Sequence, residues 1–136
     1  MDFSTSMAVA AAGLKAQSDR MKTIAENIAN ANSAASTAGG DPYRRKVPTM
    51  TSSFDRELNA EVVKSGKPVA DASEFRMQYD PGNPLADKQG YVKLPNVNSL
   101  VEIMDMREAQ RSYEADLSVI DPTKAMLSRT VDLLKK

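Results

Sequence analysis

The chain has 136 residues, enough for one modest domain or a helical core with one small insertion. Its 18 basic and 18 acidic side chains cancel, which leaves no basic surplus for a nucleic-acid binder that works by counterion release, and no nucleic-acid partner is expected. Cys and His are both absent, which excludes disulfides, thiolate metal sites and histidine general bases.

The first segment predicts a helix. Met7, Leu14, Met21 and Ile28 recur at intervals of seven, with Ala10, Ile24 and Ala31 three residues after Met7, Met21 and Ile28. This is an a/d stripe with Gln17 as its polar d position, on a helix from about Ser4 to Asn32 with Ser4 or Ser6 as N-cap. Alanine at several of these positions allows a neighbouring helix to approach closely. The start has no positive n-region and the Ala-rich run at 8–12 is short for a signal core, so no cleavable secretion signal is expected. Asn27, Asn30 and Asn32 gather at the helix end. Propensity reads them as fraying and capping, and the alternative is hydrogen bonds that set register with another chain.

Gly39-Gly40-Asp41-Pro42 breaks the chain, and prolines and glycines punctuate residues 35–95. Strand-like runs are Tyr43–Met50, Phe75–Tyr79 and Tyr91–Leu94, with a turn at Ser65-Gly66-Lys67-Pro68. Phe54–Val63 has a mixed pattern that matches no template. Arg44-Arg45-Lys46 reads as a solvated strand or loop face, with a charge contact to another chain as the alternative.

The last segment is again helical. Ile103, Met106, Tyr113, Leu117, Ile120, Leu127, Val131 and Leu134 follow three- and four-residue steps, interrupted by Gln110 and Lys124. Asn96 or Asn98 is the expected N-cap. Pro122 predicts a kink or short break, the alternative being a second helix capped by Asp121. The expected fold is therefore mainly α: terminal helices at 1–34 and 96–136, paired as an antiparallel coiled coil, with a small irregular β insertion at 35–95. Ala11, Ala25, Val97, Leu100 and Val101 fall outside the stripes, and such leftover apolar surface marks contact with other chains. No stretch reaches the roughly 20 apolar residues of a membrane span.

Catalytic chemistry finds no footing. The pairs Asp55/Glu57 and Glu114/Asp116 read as solvated charges, the second spaced so that its members share no helix face. Asp80, Asn83 and Asp87 do not follow the order of a calcium loop, and the glycines are too far apart to cradle a phosphate. No catalytic residue, cofactor, metal or small-molecule substrate is expected. Without further information, a soluble helical-hairpin adaptor that docks a partner helix competes with a subunit of a larger assembly.

The same residues carry a family likeness. Gly13-Leu14-Lys15-Ala16-Gln17-Ser18-Asp19-Arg20-Met21 and Ile24-Ala25-Glu26-Asn27-Ile28-Ala29-Asn30-Ala31-Asn32 resemble the N-terminal signature of flagellar rod and hook axial proteins. Tyr79-Asp80-Pro81-Gly82-Asn83-Pro84, Ala86-Asp87, Gly90-Tyr91-Val92, Pro95-Asn96-Val97-Asn98 and Ser112-Tyr113-Glu114-Ala115, with Tyr43-Arg44-Arg45-Lys46, resemble proximal rod proteins of the FlgC type. Asn83, where that family often has His, and Pro122 depart from the pattern. The resemblance implies a non-enzymatic subunit of the basal-body rod, exported unprocessed by the flagellar type III apparatus and assembled in the periplasm with itself and other rod subunits. It also implies that both helix stripes are assembly surfaces of the torque-transmitting shaft.

Overall fold

In the computed structural model, which describes residues 2–135, helix α1 (Phe3–Ala29) comes first and helix α2 (Ser99–Leu134) last. Between them run strands β1 (Lys46–Val47), β2 (Met50–Asp55), β3 (Ala60–Ser65), β4 (Val69–Ala70), β5 (Arg76–Tyr79) and β6 (Tyr91–Leu94). They pair antiparallel as β1–β4, β2–β3 and β5–β6, each a separate two-stranded ladder. The protein is mainly helical, with a β insertion between two long helices. No helix among the described residues is long and apolar enough to cross a membrane.

The helix ends refine the expectation. Ser4 and Ser6 lie inside α1 rather than capping it, because Asp2 precedes the first turn and its carbonyl accepts from Ser6 N at 3.0 Å. An acidic residue in that place also suits the positive end of the helix dipole. At the start of α2 the cap is Asn98, whose Oδ1 accepts from Leu100 N at 3.1 Å. Asn96 is used elsewhere: its Oδ1 accepts from Arg45 N at 2.7 Å. No second helix begins at Pro122, for α2 continues through it to Leu134. Pro122 has no N–H for the Ser118 carbonyl. The hydroxyls around it tie the same turns: Ser118 Oγ donates to Ala115 O at 2.6 Å, and Thr123 Oγ1 to Val119 O at 2.7 Å.

The chain packs as two units. The first comprises Met1–Met21, Thr49–Gly66 and Arg107–Lys136. Its β2–β3 hairpin occupies the stretch that sequence patterning left unassigned, in register from Met50↔Ser65 to Asp55↔Ala60. Asp55 Oδ1 accepts from Glu57 N at 3.0 Å and Leu58 N at 3.3 Å, and Asn59 closes the turn with φ at 48°. That is an Asx turn followed by a left-handed residue, a conformation asparagine tolerates better than most. Ser65 Oγ donates to Asp19 and so ties the hairpin base to α1.

The second unit comprises Lys22–Pro48 and Lys67–Met106. In it the tip of β5–β6 turns at Gly90, where φ is +85°, and Tyr79 meets Tyr91 edge-on at 5.2 Å. A Cβ at position 90 would stand 2.9 Å from the Tyr79 ring. Gly90→Ala is therefore expected to destabilise this unit by about 2 kcal/mol, the left-handed penalty plus displacement of the ring, read as a lower urea midpoint.

Candidate functional site

The candidate site of this chain is the set of helix faces it presents, together with whatever holds them in place. On α1 the d row lies inward: Ala10 and Ile24 are buried and Gln17 has its Oε1 buried, while Ala31, also buried, lies in the turn beyond the helix, which ends at Ala29 rather than Asn32. The a row, Met7, Leu14, Met21 and Ile28, is only half-buried. On α2 the innermost positions are Glu102, Ala109 and Thr123, in step with half-buried Asp116 at spacings of seven. Met106, Tyr113 and Ile120 flank them half-buried, whereas Ile103, Leu117, Leu127, Val131 and Leu134 are exposed.

The expected apolar stripe of α2 is thus rotated from the face that packs. Small and polar side chains fill that face because the backbones come close. In the first unit a Cβ added at Gly13 would lie 2.7 Å from Asp116 Oδ2, and Arg20 Nη2 stands 3.6 Å from Glu108 Oε2. Asp116 is therefore no ordinary solvated charge, although Glu114 is exposed.

A polar clamp organises the second unit. Asn27 is fully buried and uses all its bonding capacity. Its Nδ2 donates to Lys46 O at 2.8 Å and Glu102 Oε2 at 3.2 Å. Its Oδ1 accepts from Lys46 N at 2.9 Å and Tyr43 Oη at 2.8 Å. The amide thereby mimics a neighbouring strand against Lys46. Glu102, 1% exposed, also accepts from Arg45 Nε, while Arg45 Nη1 reaches Asp71 Oδ2 at 3.1 Å. Arg45 Nη2 stands 3.8 Å from Asp105 Oδ2. Burial pulls the Arg45 pKa down, but the hydrogen bonds and charges of Glu102 and Asp71 outweigh it and raise it above the usual arginine value.

The solvated reading of Arg44-Arg45-Lys46 consequently fails for its first two members. The Arg44 guanidinium lies 4.2 Å over the Phe75 ring and donates to Asp71 O and Ser73 O. Only Lys46 is solvated, paired with Glu26 at 3.1 Å. Asn30 bonds locally to Glu26 O and Ser33, and Asn32 is exposed.

Known proteins are similar in sequence to this chain over nearly its whole length. The chain is 50% identical to the flagellar basal-body rod protein FlgC of Agrobacterium fabrum over 133 residues, 98% of this chain and 96% of the relative. It belongs to the FlgC family. FlgC of Aquifex aeolicus is 38% identical, with 99% of each chain covered, and FlgC of Bacillus subtilis is 37% identical, with 96% and 97% covered. The family model described as flagella basal body rod protein matches residues 7–34, and that described as flagellar basal body rod FlgEFG protein C-terminal matches 88–133. In this FlgC-family chain the two matched stretches hold Asn27 and Glu102, while Arg45 and Asp71 lie outside both.

Sequence reasoning missed Glu102 for a physical reason. An acid in the first turn of a helix is already explained by the helix dipole, so nothing flags it as buried. The signal that would have found it is the surplus of cations at 44–46 with no acid beside them.

The clamp is expected to make the stability of this FlgC-family chain depend on pH. Burial raises the Tyr43 hydroxyl, and the Glu26 carboxylate raises the Lys46 ammonium. Backbone and side-chain hydrogen bonds from Ser73, then the bond from Arg45, lower the Asp71 carboxyl. Tyr43 and Lys46 contribute stability that is complete below their ordinary values, near about 10 and 10.4, and lost as pH rises through the raised folded values. Asp71 contributes stability present above about 3.9 and lost as pH falls through its lowered value. Urea midpoints of this unit are expected to fall above about pH 10 and below about pH 4. The alkaline fall should be shallower in Tyr43→Phe.

Proposed function

We propose that this chain is a structural subunit of the bacterial flagellar basal-body rod and works by packing, not by catalysis. The observation that carries the reading is the 50% identity to a FlgC rod protein over nearly the full length of both chains. The apolar rows support it physically. Met7, Leu14, Met21 and Ile28 stay half-open, and Leu117, Leu127, Val131 and Leu134 stay exposed, although each row repeats at helical spacing. Rows of that kind are completed by other chains.

In this reading residues 1–34 and 96–136 form the helical core as an antiparallel coiled coil, and 35–95 is an insertion held to it by the clamp. The stripe residues contact neighbouring rod subunits, and the assembled helices transmit torque along the shaft. Asn27 spends its hydrogen bonds within the chain and Asn30 bonds locally, which leaves the exposed Asn32 of the three to set register between subunits. The chain travels through the flagellar type III apparatus and joins the rod in the periplasm.

Hydrogen exchange over 4–32 and 97–136 tests this in dilute monomer and in purified basal bodies. Protection of these segments that deepens on assembly is expected. Protection already complete in the monomer would favour a self-contained hairpin that docks a single partner.

A further inference from the structure

The first unit holds an open, mostly apolar groove walled by α1 (Ala10, Gly13, Gln17), the β2–β3 hairpin (Met50, Val63) and α2 (Asp116). No cation lines it. Gln17 Oε1 is buried and accepts no hydrogen bond, and Asp116 makes no ion pair among the described residues. The groove therefore suits an occupant that is apolar along one side and carries a positive donor. Asp116 is half-buried on the groove wall, so a cation that meets it is held in one orientation.

The same unit carries a segment that fits this description. Every residue of α2 from Lys124 to Leu134 is exposed. Ten residues of α1 precede Gly13 and eighteen of α2 follow Asp116. Roughly eight residues of α2, about 12 Å at 1.5 Å each, thus run on past the start of α1. Leu127, Val131 and Leu134 lie on one helix face, and Lys124 shares it through its i+3 and i+7 spacing. From 124 to 135 there are three cations, Lys124, Arg129 and Lys135, against Asp132 alone.

We propose that Lys124–Leu134 of one copy seats in the groove of the next. Leu127 and Val131 pack against Met50 and Val63, and the Lys124 ammonium meets Asp116. This rests on the rod-subunit reading above and names one contact within it. A copy cannot fill its own groove, because Val119 already lines it and α2 continues from there without a break to Leu134, leaving no turn by which the segment could fold back. The contact is then head-to-tail and leaves a free segment at one end and a free groove at the other, which propagates an array.

The chain has no cysteine, so a cross-link between introduced ones is unambiguous. The test uses basal bodies from a strain in which the full chain, carrying Val63→Cys and Val131→Cys, is the sole copy. Mild oxidation should give a ladder of multimers, with none from either single variant. The double variant present in rods without a ladder, or with a band that stops at a dimer, overturns the proposal. Wild-type chain missing from the basal bodies overturns the rod-subunit reading instead. Lys124→Asp and Asp116→Lys should each lower incorporation into rods at least fivefold, and combining them should recover most of it. Failure of the pair to recover also overturns the proposal.

Discussion

Changing Arg45 to alanine is expected to lower the unfolding free energy of the second unit by about 3–5 kcal/mol. The loss comes from what remains. Glu102 stays inside at 1% exposure, with Asn27 Nδ2 at 3.2 Å as its remaining donor, and an uncompensated buried charge is more costly than a missing contact. Asp71 loses its guanidinium partner in the same step. Removing both members of the central pair is gentler: Arg45→Met with Glu102→Leu should recover most of the stability, because apolar groups of similar volume demand no partners. Urea unfolding followed by tyrosine fluorescence measures both, with the slope of the transition unchanged. A loss below about 1 kcal/mol in the single variant would place Glu102 in contact with water.

Asn27→Leu should cost about 3 kcal/mol, because it keeps the volume and strands the Lys46 N–H and C=O and the Tyr43 hydroxyl together. Asn27→Asp separates hydrogen bonding from charge. It retains the acceptor for Lys46 N and Tyr43 but sets a carboxylate where the amide stands 3.2 Å from Glu102 Oε2. Two carboxylates so close cannot both ionise without cost, so one of them titrates at raised pH. A raised acid stabilises below that pH and loses its contribution as pH rises. The Asn27→Asp variant is therefore expected to gain stability between pH 7 and 5, while the parent chain stays flat there. Thermal midpoints at the two pH values read the difference.

What was legible in the sequence follows from periodicity and turn chemistry. Tyr91–Leu94 is a strand with the predicted ends, and Phe75–Tyr79 loses only its first residue. Both helices lie where their stripes put them. Of Tyr43–Met50 only Lys46–Val47 and Met50, which opens β2, are strand, because Pro48 has no N–H to offer and the Asn27 amide occupies the backbone of Lys46. The β2–β3 hairpin was hidden for two reasons: Thr51, Ser52 and Ser53 blur its alternation, and Asn59 closes the turn where a glycine would have signalled it.

The candidate site was legible only in its apolar half. Hydrophobic patterning finds rows of large side chains, so it found Met7 to Ile28 and Ile103 to Leu134. The packed face of α2 is written instead in Glu102, Ala109, Asp116 and Thr123. Two of these are acids whose surroundings are distant in sequence: Arg45 pairs with Glu102, and the backbone of Gly13 passes close to Asp116. Fifty-seven residues separate Arg45 from Glu102, and no local pattern links them.

In the proposed packing, a half-open row such as Met7, Leu14, Met21 and Ile28 places part of each copy's folding free energy outside the copy. Neighbours that cover it act as a ligand for the native state alone, and such a ligand stabilises by RT ln(1 + [L]/Kd). The melting temperature of this chain is then expected to rise with its concentration. The first copies to arrive at a growing structure are the least stable, and each addition raises the stability of those already there.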